Sequence, residues 1–176
     1  METVKTGSPS SKPGLSSRPV LTQAENNTTL WIGHLQTDPT DHFGGQTFVC
    51  PAEGILDNIQ LYAAAVQYPG KIQLTLHEFD LSSKTWGPAI GESAFYVQKA
   101  DHEKWIQFSL PPLPLKKETT YGFRVHTADA MIGLGEAARD NKHPFTFGHE
   151  WHGSSKNQEG HFYSYFSLAF KVELRA

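Results

Sequence analysis

The stretch Trp105–Val125, WIQFSLPPLPLKKETTYGFRV, decides the fold. Ile106, Phe108 and Leu110 alternate with polar neighbours at its start, and Tyr121, Phe123 and Val125 alternate at its end. Period two puts each set on one face of a sheet. The sequence therefore predicts two β-strands joined by a connection that Pro111, Pro112 and Pro114 stiffen.

The same alternation recurs on both sides. Leu56–Val66 carries Ile59, Leu61, Ala63 and Ala65 on one face, which predicts a strand, with a helix as the alternative because of the alanines. Lys71–Phe79 alternates Ile72, Leu74 and Leu76 with Gln73, Thr75 and His77, after a turn at Tyr68-Pro69-Gly70. Shorter strands are predicted at Leu30–Gly33 and Gly45–Cys50, with a polar loop over Gln36–His42 between them. Others are predicted at Ser93–Gln98, Met131–Leu134 and within His161–Leu174. Asp80–Pro88 and Gly135–Phe145 read as connections. Roughly eight to ten short strands with no convincing long helix give an all-β fold, a two-sheet antiparallel β-sandwich of jelly-roll type.

Residues 1–28 are rich in Ser, Pro, Gly, Lys and Thr, too polar to offset the entropy of ordering, so they read as a disordered N-terminal tail before a domain at 29–176. The 176-residue chain is long enough for that domain to form a core without staples. Its net charge of −3 supplies no basic field, which argues against nucleic acid as a partner. No run of 18 apolar residues spans a membrane, and the N-terminus has no apolar signal segment, so the expectation is a soluble chain whose compartment is open. Cys50, the single cysteine, reads as a small packed residue.

The order of motifs carries a resemblance. An apolar strand opens with Ile55-Leu56-Asp57-Asn58-Ile59, followed by LTLHEFD, WIQFSL, Leu115 with Thr119-Thr120-Tyr121, and an end of the form Leu168-Ala169-Phe170-Lys171-Val172. Over roughly residues 45–174 this resembles jelly-roll β-sandwich accessory domains of bacterial proteins, similar to carbohydrate-binding modules. The resemblance implies a sandwich fold and sugar binding. It departs from the pattern at Glu118, where such domains often carry glycine before the threonines.

Four constellations are candidates for function. If the apolar alternation faces a core, Gln73, Thr75, His77, Gln107, Arg124 and His126 face outward together and can make the directional hydrogen bonds that sugar hydroxyls need. The bland alternative is the wet face of any antiparallel sheet. Trp86, Trp151, Tyr163 and Tyr165 lie in loops or off the core register, where flat rings match the C–H faces of sugars. Trp31 and Trp105 are expected to pack.

A histidine-rich segment holds His143, His149, His152 and His161. His149 and His152, with Glu150 between them, are candidate metal ligands for zinc or another transition metal. Asp57, Asp80, Asp129 and Glu136 are candidate oxygen ligands for a structural calcium ion. No nucleophile elbow, phosphate loop or cysteine nucleophile motif is present. The leading expectation is a non-catalytic binding module for carbohydrate, through His77, Trp86, Arg124, His126, Trp151 and Tyr163. The alternatives are a structural module with a protein partner and a metal-dependent enzyme using the histidine-rich segment.

Overall fold

The computed structural model describes residues 16–175. Those residues form thirteen strands and a single 3-10 turn at Lys99–Asp101. The strands are β1 (Ser17–Gln23), β2 (Thr28–Leu35), β3 (Asp38–Val49), β4 (Gly54–Tyr68), β5 (Gly70–Asp80), β6 (Thr85–Val97) and β7 (Lys104–Leu115). They continue with β8 (Thr120–Thr127), β9 (Met131–Ala138), β10 (Glu150–Ser154), β11 (Asn157–Tyr163), β12 (Phe166–Leu168) and β13 (Phe170–Arg175).

All ladders are antiparallel, in the order β1-β13-β4-β9-β2-β3-β8-β5-β6, and the sheet does not close. It curls over itself into the two layers of a β-sandwich. In one layer β13 pairs with Ile55–Leu61 of β4 while β7 pairs with Gly54–Ala63. The C-terminal part of β4, Ala63–Tyr68, pairs instead with β9 and carries the sheet into the other layer.

Alternation fills the space between the layers. Ile72, Leu74 and Leu76 from β5 and Phe123 and Val125 from β8 are fully buried, as are Ile59, Leu61, Phe108, Phe170 and Val172. Phe170 of β13 lies 6.0 Å from Phe48 of β3 and 5.7 Å from Phe123 of β8, strands with which it shares no ladder. Phe95 of β6 similarly meets Phe108 of β7 at 6.2 Å. Aromatic pairs at such separations add to plain area burial, so these cross-layer contacts hold the sandwich shut. Cys50 is buried among them.

Several expectations are corrected. The predicted tail ends sooner: β1 lies inside it and pairs with β13, because Val20 and Leu21 pack against the core from a mostly polar strand. The rest of that tail, residues 1–15, lies outside the described residues. The two strands of the Trp105–Val125 stretch do not pair with each other; β7 pairs with β4, and β8 lies between β3 and β5. The proline segment is itself part of β7. Pro111 and Pro112 fall where the register slips between Leu56 and Asn58, and β7 makes no second ladder that missing N–H groups would break.

The loop expected over Gln36–His42 shortens to the tight turn between β2 and β3. Glu118 sits at φ 64°, so a side chain occupies the left-handed position that glycine favours. Trp105 packs against Tyr62 at 5.4 Å, whereas Trp31 keeps 39% of its surface exposed.

Phe170→Ala should cost about 3–5 kcal/mol, because the cavity it leaves is walled by rings from both layers. Urea denaturation of the variant against wild type checks this.

Candidate functional site

Strands β10, β3, β8, β5 and β6 lie side by side, and their register aligns residues in rows across the outer face. One row runs Trp151, Gly45, Arg124, Thr75 and Glu92. In the next, Gln73 pairs with His126, whose ring meets that of Phe43 at 6.5 Å. Two glycines vacate the floor between these groups. A Cβ on Gly45 would stand 3.2 Å from Trp151 Cε3, and one on Gly122 would stand 2.6 Å from Trp86 Cζ3. Trp86 of β6 therefore folds flat over β8.

The Arg124 guanidinium lies against both indoles, 4.4 Å from the Trp86 ring and 5.1 Å from the Trp151 ring, which meet each other edge to face. Such cation–π contacts hold the cation in place without neutralising it. Among the described residues no carboxylate pairs with Arg124, and its buried Nε has no hydrogen-bond partner. Burial lowers its pKa from the ordinary arginine value, yet a guanidinium stays protonated at any physiological pH.

Beside it, His77 Nδ1 donates to the Gly87 carbonyl at 2.8 Å and its Nε2 lies 2.8 Å from the Thr75 hydroxyl. Burial holds His77 and His126 below the usual histidine range, so both present neutral rings at pH 7. Arg124, His77, His126, Thr75, Phe43 and Trp151 line a hollow of about 250 Å³. It shares Thr75 and His126 with a hollow of about 450 Å³ toward Gln73 and Glu92. It shares Arg124 with one of about 550 Å³ toward Trp86 and Lys84. The three make an open groove across the face.

Five of the residues expected to bind ligand, His77, Trp86, Arg124, His126 and Trp151, are thus brought together. Their roles differ from expectation. Trp151 lies on a strand, is 2% exposed and donates its Nε1–H to the Glu159 carbonyl at 2.9 Å, so it is a wall of the groove rather than a free platform. Trp86 is on β6, not in a loop, and Gln107 lies in the opposite layer across from Gln60. Gly45 and Gly122 went unread as site residues. Their signal was glycine at outward positions of alternating strands, which leaves room for a neighbour's ring.

Tyr163 is elsewhere, stacked at 4.6 Å on His152. Alternation on β10 sends Trp151 outward and turns Glu150 and His152 to the inner side, so His149 and His152 do not form the expected ligand pair. Burial, helped by the positive charge of Lys84, holds His149 below the usual histidine range. His143 pairs with Asp140 at 2.8 Å, and His161 is exposed.

His152 meets two carboxylates instead: its Nε2 contacts Glu150 and lies 3.4 Å from Glu136 Oε2. Burial drives the Glu150 carboxyl well above the usual carboxylate range. Burial alone would lower His152, but hydrogen bonds and charge from both carboxylates raise it. Burial would raise Glu136, but bonds from His152 and Glu150 outweigh it and bring it down. Of the expected calcium ligands, Asp57 pairs with Arg175 at 2.8 Å, Asp80 accepts from the Ser82 N–H at 2.9 Å, and Asp129 accepts from the Lys71 N–H at 3.0 Å. They do not converge with Glu136.

Among the described residues no helix is long and apolar enough to cross a membrane. Compared with protein-family models and with curated proteins, the chain matches none.

Gly122→Ala should force Trp86 off the sheet and cost about 1–3 kcal/mol, the range of overpacking in a filled site. A red-shifted tryptophan emission with a lowered urea midpoint is the expected readout; unchanged emission would place Trp86 elsewhere.

Proposed function

We propose that this protein is a non-catalytic binding module whose ligand lies in the groove across β10, β3, β8 and β5, and that the ligand is a carbohydrate bearing a carboxylate. The observation that carries this reading is Arg124: a half-buried guanidinium on the groove floor, packed against two indoles and without an acidic partner among the described residues. A carboxylate delivered by a ligand would accept from that fork, and charge-assisted bonds of this kind are about twice as strong as neutral ones. Thr75, Gln73 and His126 supply donors and acceptors for hydroxyl groups along the groove.

The resemblance to carbohydrate-binding modules supports the ligand class, and the exposed part of Trp86 supplies an apolar ring face beside the cation. Fold by itself gives no such preference. A protein partner offering an acidic side chain would use the same cation, and the test separates the two.

The purified chain should bind uronic-acid-containing glycans saturably and neutral glycans of equal length more weakly in a glycan panel. Arg124→Met, which keeps the stack apolar, should lose about 1.5–3 kcal/mol toward the acidic glycans and little toward the neutral ones. Absence of glycan binding by folded wild type would end the carbohydrate reading. Equal loss toward both glycan classes would remove the carboxylate from it.

A further inference from the structure

The core face of β9 reads Ile132, Leu134, Glu136. The first two are buried in the core, and the carboxylate two residues further along the same face is 5% exposed. Glu150 of β10 turns to the same side and is 0% exposed. Two carboxylates therefore stand where the alternation of the sheet calls for apolar side chains. An ionised carboxylate removed from water needs a paired charge and hydrogen bonds on its oxygens.

Neither receives a lysine or arginine among the described residues; His152 is the one positive partner of both. One imidazolium offsets one carboxylate, and the second, with no further cation beside it, is held neutral by burial. The hydrogen bonds are also incomplete, since Glu150 Oε1 is buried without a partner and Glu136 Oε2 has the His152 ring at 3.4 Å without hydrogen-bond geometry.

The donors converge. One atom from each of Glu136, Glu150 and His152 lies within 4.8 Å of the other two. A proton can join two of these atoms, whereas a cation can join all three. Donors at roughly 2.1 Å from a tetrahedral ion stand about 3.4 Å apart; His152 Nε2 stands 3.4 Å from Glu136 Oε2, while its contact with Glu150 is a hydrogen bond that an ion would have to open.

We propose that Glu136, Glu150 and His152 form a binding site for a divalent transition-metal ion of the zinc class. The imidazole selects against calcium, which takes six to eight oxygen ligands. Three protein donors leave a fourth coordination position, and the partly exposed His152 marks the side on which water reaches it. The rings of Tyr163 at 4.6 Å and Phe166 at 6.0 Å fix the imidazole plane. The site is independent of the outer groove, because Trp151 points from β10 to the opposite face.

The test uses the purified full chain, stripped with a chelator and titrated separately with Zn²⁺, Co²⁺ and Ca²⁺. The expected result is one equivalent of Zn²⁺ or Co²⁺ retained through gel filtration, with visible Co²⁺ bands of low-symmetry coordination, and no matching retention of Ca²⁺. Glu150→Gln and Glu136→Gln should each weaken Zn²⁺ binding beyond the roughly 10–100-fold that losing an outer-shell partner costs.

If either variant fails to fold, histidine resonances of wild type under Co²⁺ take its place, and those of His152 must be the ones shifted. No stoichiometric binding by folded wild type would overturn the proposal, as would calcium alone being retained. Binding unchanged in folded Glu136→Gln and Glu150→Gln, or shifts confined to other histidines, would overturn it equally.

Discussion

Everything in this fold depends on β4 hydrogen-bonding in both layers. Its first part is held between β13 and β7, and its last part pairs with β9, so one continuous strand turns the sheet through the corner of the sandwich. The register slips along it at Leu56/Asn58, Ala63/Ala65 and Val66/Tyr68. Irregularities of that kind increase local twist and let a strand bend without losing its neighbours. The alanines at 63–65, which raised a helix as an alternative, sit where the ladder passes from β7 and β13 to β9; small side chains suit that crowded corner. Once β4 bends, Phe170 can reach Phe48 and Phe123 across the interior, and the core closes.

The chemistry follows from the same alternation read on its two sides. On the outer face of β8 the residues between Phe123, Val125 and Thr127 are Arg124 and His126, and pairing with β5 sets Thr75 and Gln73 beside them. On β10, one residue separates the two sites: Trp151 goes outward to Arg124, while Glu150 and His152 go inward to Glu136. A one-residue slip of β10 would exchange the faces and destroy both arrangements, because the side-chain period is two. Its ladders to β3 and β11 hold the register fixed.

The sequence made the outer face legible because strong alternation in Lys71–Phe79 and Tyr121–Val125 assigns inward and outward positions whatever their partners are. It could not show that β7 lies in the other layer, so Gln107 was grouped with residues it never meets. Polar composition hid β1, which is ordered by pairing with β13 and by two buried aliphatic contacts rather than by a pattern of its own. The inner cluster was illegible for a different reason. Glu136 and Glu150 come from separate strands, and what joins them is the placement of β9 and β10 around the end of the interior. His149 and His152 drew notice as neighbours in sequence, yet three residues along a strand is an odd spacing and sends them to opposite faces.

The incompletely partnered groups of the two faces differ in kind, a guanidinium outside and carboxyls within, and β10 stands between them. Among the described residues Arg124 has no anion, and Glu136 and Glu150 share His152 as their one cationic neighbour. Buried polar groups without full partners cost free energy against a total stability of about 5–15 kcal/mol. Leu134, two residues from Glu136 on the same face of β9, is a fully apolar occupant of such an inner position. What the two sites share is a polar group held rigidly, by indole rings in one case and by strand backbone in the other, without a full complement among the described residues. Bound partners that complete these groups would offset that cost, and the difference in kind requires them to be different: an anion on the outer face, a cation within.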